Sequence, residues 1–474
     1  MTKRATGRPR RLVAFFISAI ALAAATSQPR GFDTISADSL RTNLSYLASD
    51  ELEGRNTPSP GLNLAADYIA LQFRKAGLEP AAPDYFQNAK FDEASVDMTA
   101  FRLTLRSGDK KLSVPADEIG VRSLIPLELT SEPVVRLPEN GAIPAIAGRI
   151  VAGDERRWGD EIFLNELEAR KPALILLIGK SETDTRRQRA ARPAKFLAEA
   201  EGGSVPLIRI RRSEVAALLG DKGGLSISLH LAKPSLNTAT LRNVVGVLRG
   251  SDPVLRDQYI LLTAHYDHLG RGESGIFHGA NDNASGTVSV IEIARALAAV
   301  NPHPARSIIF IALFGEEEGL LGSYYYAHHP LVPLKDTVAD VNLEQMGRTD
   351  DPAGRKLGEF AITGPSFSNL PGIIAAGAKT QGVKVYTRRD ADDYFDRSDN
   401  FSFAQYGVIS HTIAVAFEYP DYHALGDKPE KIDYTNMATV DRGVAAGIIA
   451  LANNPEPPKW SAVKAAAIYR DAGR

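Results

Sequence analysis

The chain has no cysteine among its 474 residues. That excludes a disulfide framework, a lipid-modified cysteine, a thiolate metal ligand and a cysteine nucleophile. Any metal it binds must be held by His, Asp and Glu. Charge of one sign is also missing, since 55 Lys and Arg face 57 Asp and Glu for a formal −2; without a basic excess, no nucleic-acid partner is expected. No apolar run reaches the roughly 20 residues that a membrane-spanning helix needs. One such run, Leu12 to Ala25, is shorter, follows Lys3, Arg4, Arg8, Arg10 and Arg11, and ends in small residues. This is the layout of a secretory leader, so export to a periplasmic or extracellular location is expected, with no stable membrane insertion after cleavage. Three motifs are absent as well. There is no Gly-x-Ser-x-Gly of a serine hydrolase, no His-Glu-x-x-His, and no Gly-x-Gly-x-x-Gly after the opening strand of the sheet.

What is present reads as an α/β protein. Ser36 to Ala76 carries apolar residues at helical spacing (Leu40, Leu44, Leu47, then Ala65, Ile69, Phe73), which predicts two helices around the loop Asp50–Arg55. From Phe101 the pattern changes to short strands between Gly, Pro and charged turns, including Ala173 to Ile178 and Val205 to Ile210, which reads as a smaller β-rich insert. From Asn243 strands alternate with helices, the sequence form of a doubly wound, mostly parallel sheet with helices on both faces. Strands are predicted over Tyr259 to Ala264, Ser307 to Phe314, Val338 to Leu343 and Val408 to Ala416, with helices over Ala284 to Val300 and Leu320 to His328. The acidic stretch Asp390, Asp392, Asp393, Asp396 and Asp399 lacks the spacing of a calcium loop and reads as a solvated face. Arg397, Ser398 and Asp399, in a loop before a predicted helix, read as a surface loop, with lining of the substrate pocket as the alternative.

In such sheets ligands gather at the carboxyl ends of the strands, and the chemically suggestive residues fall there. His265-Tyr266-Asp267-His268 follows the first strand, and either His265 or His268 suits a metal, with Asp267 placed to orient an imidazole. Asp282, in Asn281-Asp282-Asn283, precedes an apolar helix, where a carboxylate serves as an N-cap or a cation ligand. Glu316-Glu317-Glu318 follows the next strand with no basic neighbour, so its mutual repulsion calls for protons or cations. Glu344 ends a further strand, and Tyr422-His423 lies in a Pro- and Asp-rich loop.

The order and spacing of these five elements resemble the di-zinc aminopeptidases of metallopeptidase family 28, the bacterial leucyl aminopeptidase type. The resemblance covers the helices of Ser36 to Ala76 and the stretch from about Asn243 to Asp433. It implies the zinc exopeptidase fold and two zinc ions per chain. The ligands would be His265, Asp282 as the bridge, Glu317, Glu344 and His423. Asp267 would orient His265, Glu316 would act as general base, and Tyr422 would sit at the substrate carbonyl. The implied substrate is a peptide with a free amino terminus. The family often has Asp where this chain has Glu344, and its bridging Asp precedes a cis peptide bond. The expected layout is a signal peptide over 1–27, a discontinuous catalytic domain over 33–98 and 236–474, and a protease-associated-like insert over 99–235. Carboxyl-terminal exopeptidases share the same metal core. Glutaminyl cyclases share the fold but typically bind one zinc, and receptor-like binding proteins keep the fold with a broken ligand set, whereas the set here is complete.

Overall fold

The computed structural model describes residues 31–139, 142–158, 161–179, 195–199, 205–221, 223–353 and 357–472; the expected leader, 1–27, lies outside them. A ten-stranded sheet organises most of the chain. At its centre, Tyr259–His265 runs parallel to Ser307–Leu313 on one side and to Thr337–Glu344 on the other, and Ser410–Ala414 extends the parallel set. Tyr259–His265 and Ser307–Leu313 are almost continuous apolar runs because both faces are covered, whereas Thr337–Glu344 and Ser410–Ala414 also bury polar residues that hydrogen-bond one another, Ser410 to Asp340 at 2.5 Å and Asn342 to Thr412 at 3.0 Å. Alternate residues serve opposite cores. Ile260, Leu262, Ala264, Ile308, Phe310 and Ala312 face one, while Leu261, Ile309, Ile311 and Leu313 face the other.

Helices cover both faces. Pro60–Ala76 starts where the Ser59 hydroxyl accepts the Leu62 N–H, and stops at Gly77, whose φ of 82° suits a residue without Cβ. Its apolar stripe (Leu62, Ala65, Ala66, Ile69, Phe73) enters the first core together with Gly286–Ala298 and Tyr434–Asn453. Leu321–His328 and Asn400–Ala404 contribute Tyr326 and Phe403 to the opposite core.

The flanks of the sheet are antiparallel. Ser235–Leu248 pairs with Ser307–Leu313 and, along ten residues, with Phe86–Ser95, while Glu359–Ile362 pairs antiparallel with Ser410–Ala414. A separate eight-stranded sheet, built from strands between Arg102 and Leu231, has its own apolar clusters. One strand of that stretch departs from a self-contained insert: Lys195–Glu199 pairs with Phe86–Ser95 and so adds to the larger sheet.

From the central strand, crossovers lead to one neighbour and then to the other, in opposite directions. The strand order therefore reverses at Tyr259–His265, and the strand-to-helix loops part there into a crevice at the carboxyl edge.

Candidate metal centre

His265 is the last residue of the central strand and is buried. Its carbonyl accepts the Thr287 hydroxyl at 2.6 Å, which ties the strand end to the following helix. Its Nδ1 lies 3.5 Å from Asp267 Oδ1, and that same oxygen accepts the Glu316 N–H at 3.1 Å. Asp267 thus meets the imidazole through its backbone carbonyl, 3.3 Å from Nδ1, as well as its carboxylate, which also holds the backbone of the next acidic loop.

Asp282 sits in the turn Ala280–Ser285, where it leaves helical geometry at φ −111° and ψ 95°, and the Asp282–Asn283 bond is cis. The asparagines on either side clamp this turn to the end of a neighbouring strand. Asn281 Oδ1 accepts the N–H groups of Gly347 and Arg348 at 2.8 and 2.9 Å. Asn283 donates to the Leu343 carbonyl at 2.9 Å and accepts the Gln345 N–H at 3.2 Å. From below, Asp427 accepts the N–H groups of Asn281 and Asp282 at 2.9 and 3.1 Å, and the Tyr419 hydroxyl at 3.0 Å.

Two groups of donors result, one on each oxygen of Asp282. His265 Nε2 stands 3.5 Å from Asp282 Oδ1 and 3.3 Å from Glu344 Oε1. On the other side, His423 Nε2 stands 3.1 Å from Asp282 Oδ2 and 3.2 Å from Glu317 Oε1. His268 Nδ1 is 2.9 Å from the same Glu317 oxygen. The triads His265, Asp282, Glu344 and His268, Asp282, Glu317 each have the make-up of a cation site. Glu316 lies further out, with Oε2 3.9 Å from His265 Nε2.

The donor set fits zinc. Two donors about 2.0–2.1 Å from a shared tetrahedral ion stand roughly 3.3 Å apart, close to the spacings above. Both ring nitrogens of His268 and Glu317 Oε1 are buried without a hydrogen-bond partner. The electrostatics agree. Burial, reinforced by Glu317 and Glu344, pushes Glu316 well above the usual carboxylate range, although His265 opposes it. Burial also raises Glu344. On the other side, burial and Asp282 push Glu317 up, but contacts with His268 and His423 bring it down to about 2. Burial lowers His423, yet Asp282 and Glu317 overcome this and push it up to about 10. Among the described residues, only imidazoles come within ion-pair distance of Asp282, Glu316, Glu317 and Glu344. Arg55 is fully buried nearby, but it donates to the carbonyls of Leu47, Tyr266, His278 and Gly279.

All eight residues singled out in the sequence come to this crevice. Tyr422 is half exposed, and its ring stacks on His423 at 4.0 Å between centroids. The centre opens into a cleft of about 730 Å³ whose walls include Tyr394, Arg397, Phe417, Tyr419 and Tyr422.

Two sequence readings are corrected. Ser398 and Asp399 are not on a surface loop, being 5% and 0% exposed. Ser398 donates to Glu344 Oε2 at 2.8 Å and accepts from Asn342 at 2.8 Å, which supports the longer glutamate arm from behind. Asp399 is therefore not part of a solvated acidic face; burial pushes its carboxyl up to about 7. Asp427 went unnoticed because an acid in a Pro- and Asp-rich loop looks solvated.

Comparison with known proteins agrees with this arrangement. Residues 243–448 match the model of peptidase family M28. Aminopeptidase YwaD of Bacillus subtilis (strain 168) is 31% identical over 261 residues, covering 54% of this chain and 53% of YwaD. The chain thus spans about half the length of that curated relative. An aminopeptidase from Aneurinibacillus sp. strain AM-1 superposes with a TM-score of 0.56 at 19% identity, covering 90% of this chain and 96% of the other. BSAP, a zinc aminopeptidase from Bacillus subtilis, superposes with a TM-score of 0.50 at 19% identity, covering 92% and 99%. At these identities the structures establish a shared fold, the zinc exopeptidase fold. The metal-donor crevice lies inside the segment that matches peptidase family M28, residues 243–448.

Proposed function

We propose that the chain is an exported, two-zinc exopeptidase that releases residues from the free amino terminus of peptides. The observation that carries this reading is the division of Asp282 between two donor groups, with Glu316 beside them at the cleft. His265, Asp282 and Glu344 would hold one ion, and Glu317 and His423, with Asp282, the other. Zinc bound there supplies Lewis-acid polarisation of the scissile carbonyl and acidifies an attacking water. Glu316 takes the water's proton and passes it to the leaving amine, and burial among acids suits it to hold that proton in between. Asp267 keeps both His265 and the Glu316 backbone in place. Tyr422, whose ring stacks on His423 at the cleft wall, donates to the oxygen on which charge develops.

Amino-terminal release is favoured over carboxyl-terminal release by the likeness to YwaD, an aminopeptidase. Export rests on the basic and apolar leader, and no helix among the described residues is long and apolar enough to cross a membrane. Residues 99–235 are read as a protease-associated-type insert, on the ground of the separate eight-stranded sheet and apolar clusters that all its strands but Lys195–Glu199 build. The test is hydrolysis of amino-acid p-nitroanilides and of their N-acetylated counterparts, before and after chelation. Chelation-sensitive release that requires the free amine is expected. Hydrolysis only of peptides with a free carboxyl terminus would overturn the amino-terminal assignment.

A further inference from the structure

Beside the metal centre, part of the cleft is walled by Tyr394 and Phe417, and this wall stands apart from the two main cores of the large sheet. Phe417 forms a small apolar cluster with Ala361 and Ala414, against which Tyr386 and Tyr394 pack. Ala414 is the sheet partner of Glu344 on one side and of Ala361 on the other, so the cluster lies one strand over from Glu344. The rings of Tyr394 and Phe417 meet edge to face with centroids 5.0 Å apart.

We propose that Arg388, held by Asp351, is a positioning residue that sets this wall and with it a preference for a large apolar side chain on the residue released. This rests on the exopeptidase reading above. The Arg388 guanidinium stands 5.1 Å from the ring centroid of Tyr394 and 5.0 Å from that of Phe417. It donates to Asp351 Oδ2 at 2.8 Å and forks onto both oxygens of Asp390 at 2.6 and 3.1 Å. The side chains of Arg388 and Asp351 are only 9% and 1% exposed. The same Asp351 oxygen accepts the N–H groups of Phe417 and Glu418 at 3.0 and 3.4 Å, just past the strand Ser410–Ala414. Its other oxygen accepts the Ala353 N–H at 2.7 Å. The Tyr394 hydroxyl donates to Glu418 Oε1 at 2.9 Å and closes the circle of contacts.

Stability alone does not account for this pair, because a buried ion pair contributes little more than apolar packing of the same volume. What it supplies is placement. A guanidinium is planar, holds its donors in a rigid fork and stacks on aromatic faces, whereas a lysine ammonium is a point charge without that fork. Arg388 therefore fixes the backbone of Phe417 through Asp351, and the rings of Phe417 and Tyr394 directly. On its sheet side the cleft is lined by the short side chains of Thr363, Thr412 and Ala414, which leaves space beside the two rings. Arg397 and Glu418, both exposed, bring one charge of each sign to the same cleft, so the wall selects for apolar bulk and not for charge.

The experiment compares wild type, Arg388→Lys, Arg388→Met and Asp351→Asn in hydrolysis of phenylalanine, leucine and alanine p-nitroanilides. Zinc content, thermal melts and calorimetric binding of L-phenylalanine and L-alanine are measured alongside. Arg388→Met and Asp351→Asn should raise KM for the phenylalanine and leucine substrates at least about tenfold, while KM for alanine stays within about twofold and kcat within about threefold. Zinc content should not change. Arg388→Lys keeps a charge beside Asp351, so it should melt close to wild type and yet recover only part of the lost KM. Equal losses for all three substrates would reduce the pair to a structural role and overturn the proposal, as would unchanged KM in every variant. Wild type that releases nothing from these free-amine substrates would overturn the aminopeptidase reading alone. The wall is then judged by calorimetry, where L-phenylalanine should bind wild type at least about tenfold more tightly than L-alanine, with that margin reduced in Arg388→Lys. Equal binding of the two amino acids to wild type would overturn the proposal.

Discussion

The two sheets put acids at the carboxyl ends of parallel strands and neutralise them differently. In the smaller sheet, Glu155 follows the strand Ile150–Asp154 and lies against the end of Leu174–Gly179, and it pairs with Arg209 at 3.3 Å and Arg211 at 3.1 Å. Asp154 pairs with Arg156 at 3.2 Å. In the larger sheet, Asp282, Glu316, Glu317 and Glu344 occupy the equivalent crevice, where among the described residues only imidazoles come within ion-pair distance of them. An acid that brings its own arginine makes a structural ion pair, while acids that share only histidines leave room for a cation from solution. Asp441 shows a third solution. It is buried in the helical layer with the Ser289 hydroxyl at 2.8 Å, and burial pushes it up to about 8, so it keeps a proton.

The sharpest way to break this comparison is at the base. Glu316→Gln should lower kcat by at least about 100-fold while zinc content stays at the wild-type value. Steady-state kinetics with elemental analysis decides this, and a loss of metal in parallel would mean that Glu316 is a ligand.

Asp441 tests the proton solution. Its folded value is raised, so its stabilising contribution is complete below the unfolded value near 3.8 and is lost as pH rises toward about 8. Within that window the slope is at most roughly 1.4 kcal/mol per pH unit for a single group. Asp441→Asn should flatten stability against pH between about 4 and 8 in urea unfolding curves.

Ser398→Ala removes the hydrogen bond behind Glu344 and should weaken zinc binding about tenfold, as measured by chelator competition. The smallest effect belongs to the smaller sheet. Glu155→Gln breaks partly exposed arginine pairs, so it should cost under about 1 kcal/mol and leave zinc content and activity unchanged.

How much of this was legible follows from the same contrast. Tyr259–His265 and Ser307–Leu313 read clearly because burial on both faces leaves uninterrupted apolar runs, and these two strands, with Thr337–Glu344, lead to His265, to Glu316 and Glu317, and to Glu344. Asn281 and Asn283 were visible only as neighbours of Asp282, because their work is done on Leu343, Gln345, Gly347 and Arg348, about 60 residues on. The long antiparallel pair Phe86–Ser95 with Ser235–Leu248 was not anticipated, nor was the attachment of Lys195–Glu199, since pairing across such separations leaves no local period. His268 stayed ambiguous for a different reason. In His265-Tyr266-Asp267-His268 only the direction of each side chain after the strand end decides which ring enters the crevice: His265 lines it, while His268 is fully buried against Glu317 at 2.9 Å. Ser398 and Asp399 were misread because an Asp-rich run resembles a solvated face until the helix Asn400–Ala404 is packed against the sheet.

The most direct measurement is an anomalous difference map at the zinc edge from crystals of the chain grown with zinc. Two peaks about 3.5–4 Å apart are expected, one against each oxygen of Asp282, the first beside His265 and Glu344 and the second beside Glu317. A single peak, or none in this crevice, would contradict the two-metal centre.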